Sequence, residues 1–496
     1  MAAALLLVSI ELSPSLVVAA TDEPATTPAD PQAKQTTDTA PRDATRGEMQ
    51  RQLDLLQRQL ENLTASIGDK QPGEKQQQTL ADLRQQIANL QSRLDTANAE
   101  QKQKVEAAGH GFEARWLKLR EALGDFTTYD VNDGMFRIRF GIRLQLDLTS
   151  GSASSALQQQ VGSIDDGLRF RRARIYAEGR LFRQLDFKFE YDFAADRGLK
   201  DAYFEGAKFT KRVRWRIGHF KEPFSLARQT SSNDLGFLEW GLPVPVFAPG
   251  RNWGLMFRHA ELHQRMTWAF SATTNGQTTD DNRSDANLSL ALRATGLPIY
   301  RDHGRRLLHL GASYNARNPK SDLSFEARPE ARFAPFVAYT GPIDADGVGV
   351  LGLEAAVVAG PFWAQTEYLR ADVNSSQAGD PVFDGAYLEV GYFITGESRT
   401  YDAIHGAFDR LTPKRLFHGG NPFTRHGDCG ALEVTGRYSG LDLNDGLVTG
   451  GRMTDLSLGM NWYTSPTSRF MFNYIRSELR GVGAANIALV RFQFNP

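Results

Sequence analysis

The sequence holds one cysteine, Cys429, so it can build neither a disulfide framework nor a CxxC metal site. It also lacks a charge surplus: 57 Lys+Arg stand against 58 Asp+Glu, a formal balance of -1. That excludes a nucleic-acid partner recruited by bulk positive charge, and any preference for one sign of ion must come from where charges sit. Past the N-terminus no stretch approaches the roughly 20 apolar residues a membrane helix needs. Catalytic signatures are missing too. The nine His are scattered, and neither a Gly-x-Ser-x-Gly elbow nor a His-Glu-x-x-His motif occurs. We therefore expect no enzyme, with no catalytic residue, no metal and no cofactor. A mean hydropathy of -0.41 is that of a soluble protein. It is equally that of a transmembrane barrel, whose lipid face is hidden in alternate residues.

What is present falls into segments. Ala2 to Ile10 is apolar and continues past Glu11 and Pro14 to Leu16-Val17-Val18-Ala19-Ala20. Val18 and Ala20 fit the small-residue pattern before a cleavage site, so residues 1–20 are predicted to be an export signal. The missing basic n-region suggests a start further upstream, and a short buried helix is the plainer reading. Residues 21–47 are Thr, Ala, Pro, Asp and Gln with little to bury, which predicts a disordered linker.

Over residues 48–106 the rhythm changes. Met49, Leu53, Leu56, Leu60, Leu63 and Ile67 step by four and three, the seam of a coiled coil. Pro72-Gly73 breaks the seam, and Leu80, Leu83, Ile87, Leu90, Leu94 and Ala97 resume it. Such a narrow strip cannot form a core alone, so self-association is the simplest expectation. A hairpin folding back through the Pro-Gly break is the alternative.

From about residue 130 the period becomes two. In Phe136 to Leu148 every even position is apolar, while Arg137, Arg139, Arg143 and Asp147 stand among the odd ones. Leu185 to Phe193, Leu288 to Leu292, Tyr387 to Tyr392, Leu456 to Trp462 and Phe470 to Ile475 repeat the alternation. Long strands with one greasy and one charged face suit a wall between lipid and water. At about 22 residues per strand and loop, residues 130–496 predict roughly 16 antiparallel strands, an all-β transmembrane barrel wide enough for an aqueous channel. A soluble β-sandwich array would demand polar outward faces instead.

If the apolar face meets lipid, the charges line the lumen. The second strand carries Arg169, Arg171, Arg172, Arg174 and Arg180, and its alternation slips between Arg171 and Arg172, which predicts a bulge. Arg214 and Arg216 share a face further on. For any single Arg, pairing with Glu178, Asp186, Glu190 or Asp192 is the bland reading. Taken as a set they form a positive stripe, as in anion pores. The Arg fork also matches phosphate oxygens. The irregular stretch from about 221 to 250 is long enough to fold into the lumen, with Lys221, Arg228, Ser231 and Ser232 as its donors. A solvated outer loop is the plain alternative. His219 beside it reads as a wall residue.

The barrel region resembles the phosphate-selective porins of the porin O and P type. The resemblance is carried by Phe170-Arg171-Arg172-Ala173-Arg174, Arg216 to Phe224, Thr230-Ser231-Ser232-Asn233-Asp234, Gly391 to Arg399, and Gly459 to Tyr463. It implies an outer-membrane homotrimer with an infolded third loop, in contact with outer-membrane lipid and passing phosphate or other small anions. It implies an anion site at Arg171, Arg172, Arg228, Ser231 and Ser232, with Asp201 nearby to hold an Arg or to ease release. Lys221 belongs to the same constriction, and the lumen row Arg137, Arg139, Arg143, Arg169, Arg174, Arg214 and Arg216 would lead to it. The N-terminal segment would then be periplasmic, reinforcing trimers or touching the cell wall. The alternative is a general or weakly selective porin that the coiled coil mainly tethers or trimerises. Two departures stand out. Glu239-Trp240 replaces the family's frequent Glu-Arg, and Asn495-Pro496 follows Phe494, where the last strand should end.

Overall fold

A computed structural model describes residues 52–53, 55–57, 59–61, 75, 77–96, 128–131, 135–195, 198–206, 213–274, 286–319, 322–417 and 429–496. The expected export signal and linker lie outside these residues. The chain divides into two units, residues 1–112 and 113–496. In the first, the described residues are helical. Leu53, Ile87 and Leu94 are buried there against Leu56, Leu60 and Leu90. Seam residues from both sides of the Pro72-Gly73 break thus meet within one chain; the break itself is outside the described residues.

The second unit is a closed antiparallel barrel of 16 strands. They are β1 (Phe136–Ala153), β2 (Gly167–Leu181), β3 (Leu185–Asp192), β4 (Leu199–Gly206), β5 (Arg214–Lys221), β6 (Arg251–Glu261), β7 (Met266–Thr274) and β8 (Ala286–Arg301). Then follow β9 (Arg306–Pro319), β10 (Gly347–Ala359), β11 (Phe362–Asn374), β12 (Val382–Phe393), β13 (Ala431–Asp445), β14 (Val448–Tyr463), β15 (Ser468–Leu479) and β16 (Gly483–Phe494). Each strand pairs with its sequence neighbour, and β16 closes on β1 with Leu144 opposite Phe494. Closure removes the unpaired edge that lipid could not satisfy. A short strand, Thr128–Val131, adds to the lower half of β1.

Alternation sorts the faces. On β1, Phe140, Ile142 and Leu148 point outward, while Arg143, Gln145 and Asp147 are buried inward. The outer belt ends in an aromatic cluster where Trp462 stacks on Phe470 and Phe470 meets Phe492, as expected for interfacial rings. The register of β1 and β2 shifts between Gln145 and Leu146: Arg172 faces Gln145 and Phe170 faces Leu146, so Arg171 is the extra, bulged residue.

One strand glycine is a backbone requirement. Gly218 in β5 has φ 130, and a Cβ there would lie 2.2 Å from the Ala202 carbonyl oxygen on β4. Gly218→Ala should therefore cost about 3 kcal/mol or more. Urea unfolding followed by tryptophan fluorescence should show the loss, and an unchanged midpoint would contradict this account.

Among the described residues three connections turn inward. Residues 222–250, between β5 and β6, cross the barrel, and residues 322–346 fold against them from between β9 and β10. Together Phe224, Leu238, Val244, Phe247, Phe325 and Ala331 join Leu369, Phe383, Leu441, Met471 and Ile487 of the wall in one apolar core. The lumen beside β10–β16 is thus filled rather than wet. The third segment, 394–417, enters from the opposite end, where the other turns are short. Its Phe408 N–H donates to Thr230 Oγ1, and Arg293 donates to the Gly406 carbonyl at 2.7 Å. Arg399 lies between the Trp363 and Phe408 rings, 3.8 and 3.7 Å from their centroids.

Candidate functional site

A backbone buried inside a barrel needs partners for its carbonyls. The wall supplies them to residues 222–250. Arg469 donates to Leu235 O at 2.9 Å, Asn461 to Gly236 O at 2.8 Å, Arg491 to Leu238 O at 2.7 Å and Arg437 to Glu239 O at 2.9 Å. These inward groups of β13–β16 therefore hold the crossing segment. Residues 322–346 are held through Glu330, whose carboxylate accepts from Arg437, Ser439 and Ser457 while its N–H donates to Asp455.

With one side filled, a cavity of about 690 Å³ remains beside β1–β6. It gathers Arg143, Arg169, Arg171, Arg172, Arg174, Asp201, Arg216, Lys221, Ser231 and Ser232 from the set expected on sequence. Lys188, Lys200, Arg251, Arg328 and Arg332 join them, and the acids on its lining are Glu190, Asp192, Asp201, Asp402 and Asp409. Basic side chains thus outnumber acidic ones around the space.

Within the cavity the crossing segment faces β1 and β2. Arg143 donates to Ser232 Oγ at 3.3 Å, and Arg172 to Gln145 Oε1 at 2.5 Å. Gln145 in turn donates to the Ser232 carbonyl at 3.3 Å. Lys221 donates to the carbonyls of Arg228 and Thr230, which turns the segment back toward the wall. Asp201 accepts from Arg251 at 2.8 Å and lies 3.7 Å from Lys188. Arg174 is bound by Glu190 and Asp192, and Arg216 by Glu205 while lying over Tyr203.

Several expected residues stand elsewhere. Arg228 does not line the cavity: its guanidinium lies 4.5 Å from the Trp240 ring centroid, and the Trp240 Nε1–H donates to Ala227 O. Trp240 and the Ala248 carbonyl, which accepts from Arg228 at 3.4 Å, thus hold Arg228 aside. Arg137, Arg139 and Arg214 lie outside the cavity, toward the short-turn end, paired with Asp130, Glu178, and Asp186 with Glu205. Arg171 touches the cavity but is gripped by Glu239, at 2.7 Å from Nε and 2.9 Å from Nη2. Burial pushes the Glu239 carboxyl up, yet Arg171, with Arg172 and Arg491 behind it, holds it well below the usual carboxylate range.

Sequence reasoning missed Lys188, Lys200, Arg251, Arg328 and Arg332. Lys188 shares the charged face of β3 with Asp186 and Glu190, which would have revealed it. Arg328 and Arg332 sit in a Pro- and Ala-rich stretch whose inward course no local period announces.

A closed 16-stranded antiparallel barrel, apolar outside and lined with charge within, is an outer-membrane porin. Its infolded segments leave the cavity beside β1–β6, lined largely by charged side chains. The chain belongs to the family of phosphate-selective porins O and P, which matches residues 136–495. It is 26% identical over 397 residues to Porin O of Pseudomonas aeruginosa, covering 70% of this chain and 84% of that one. An uncharacterized protein of Caulobacter vibrioides is 26% identical over 369 residues, 68% of each chain. Among solved structures, an anion-selective porin from Comamonas acidovorans aligns with 72% of this chain and 99% of its own, at 11% identity and a TM-score of 0.44.

Proposed function

We propose that the barrel gives passive diffusion to small anions, with phosphate or polyphosphate favoured, through the Arg-lined half of its lumen. The observation that carries this reading is the cavity beside β1–β6, where basic groups exceed acidic ones and Ser231 and Ser232 stand across from Arg143 and Arg172. Rings of basic side chains select anions, and conduction also requires release. Asp201, set among Arg251 and Lys188, supplies a competing negative charge for that release. We further propose a homotrimer whose N-terminal segment lies in the periplasm, with the helical residues reinforcing trimers or touching the cell wall.

A weakly selective porin is the second reading, favoured by the number of lumen Arg held by carboxylates. Planar-bilayer recording separates the two. We expect a reversal potential on the anion side in a KCl gradient and block of chloride current by added phosphate. Anion selectivity without phosphate block would leave the weakly selective pore, and cation selectivity would end the anion reading.

A further inference from the structure

The two adjacent Arg of β2 are not equivalent. Arg172 keeps the inward alternation and meets Gln145, whereas Arg171 is the bulged residue and leans toward the crossing segment. There its fork closes on both oxygens of Glu239. A fork closed on a carboxylate presents the geometry that a phosphate would otherwise receive. Arg171 nevertheless stays on the cavity lining, beside Arg172.

Glu239 has a second cation, Arg491, at 2.9 Å. That Arg is independently held by Asp147 at 2.6 and 2.7 Å and by the Leu238 carbonyl. Removing the charge of Glu239 would leave Arg491 in place and loosen the hold on the Arg171 fork. The segment would stay anchored, because Arg437 and Arg491 grip its backbone carbonyls rather than the Glu239 side chain.

We propose that Glu239 is a specificity-determining residue of the pore: by sequestering Arg171 it withholds one of two adjacent Arg from the passing anion. This rests on the anion-porin reading above. A site using both Arg would bind a phosphate group more tightly and release it more slowly, so the Glu trades affinity for flux.

The test compares phosphate block and reversal potential in planar bilayers for the full-length protein, Glu239→Gln, Arg171→Gln and the double variant. With Glu239→Gln, half-block should occur at about tenfold lower phosphate. Arg171→Gln alone leaves Glu239 uncompensated and should weaken block, whereas the double variant removes a matched pair and should return half-block to within about twofold of native. In the Glu239→Gln background the Arg171 change should thus erase the gain. Unchanged or weaker block in Glu239→Gln, or a loss in the double variant as large as in Arg172→Gln, would overturn the proposal. The double variant stays readable even if Glu239→Gln alone fails to assemble. A native pore that is cation-selective would sink the anion reading by itself. The Glu239 assignment then stands or falls on whether Glu239→Gln moves the reversal potential toward anions.

Discussion

Glu330→Ala should yield a barrel that still forms but conducts more and unfolds sooner. Glu330 and Arg437 are buried, at 4% and 3% exposure, and the carboxylate collects the Arg437 fork and the hydroxyls of Ser439 and Ser457. Truncation strands Arg437 and both hydroxyls in a dry site, at a cost of about 3–5 kcal/mol. Glu389, 3.4 Å from Arg437, offsets part of that loss. Residues 322–346 would lose their anchor to the far wall, so the passage should widen. Urea-unfolding midpoints and single-channel conductance read the two effects. Native values for both would show that apolar packing alone holds the segment.

Arg172→Gln should move function and stability in opposite directions. Among the described residues no carboxylate lies within ion-pair distance of Arg172, its Nε has no hydrogen-bond partner, and it is 2% exposed. An under-partnered buried cation is costly to hold, and such strain collects at functional sites. Neutralising it should raise the unfolding midpoint while shifting half-block to about tenfold higher phosphate or more. A variant less stable than the native protein with unchanged block would place Arg172 in the scaffold instead.

The barrel was legible because lipid and water impose opposite demands on alternate residues, and β1, β3 and the Leu288 to Leu292 part of β8 show this without interruption. The upper parts of β11 to β13 were harder to read. Leu369, Val373, Phe383, Leu441 and Leu443 point inward onto the apolar core while Arg370, Asp372, Asp384 and Asp442 take the opposite face, so the usual sorting is inverted there. Their partners come from residues 222–250 and 322–346, distant in sequence, and no local period encodes that packing. The site divides in the same way. The slip in alternation exposed the bulge at Arg171. Its capture by Glu239, 68 positions along the chain, depends on the segment having crossed the lumen. The 394–417 segment was read only as a motif ending at Arg399, because nothing local says that a turn will enter a barrel.

The filled half of the barrel alters what governs transport. In a hollow barrel, bore follows from circumference, and circumference from how many strands close the ring. Here the bore is what remains after side chains such as Phe247, Phe325 and Ala331 have interlocked. Sieving becomes a property of a protein interior, where one methylene is felt. Substitutions far from any charge, of the sort usually counted as neutral repacking, would then retune which solutes pass.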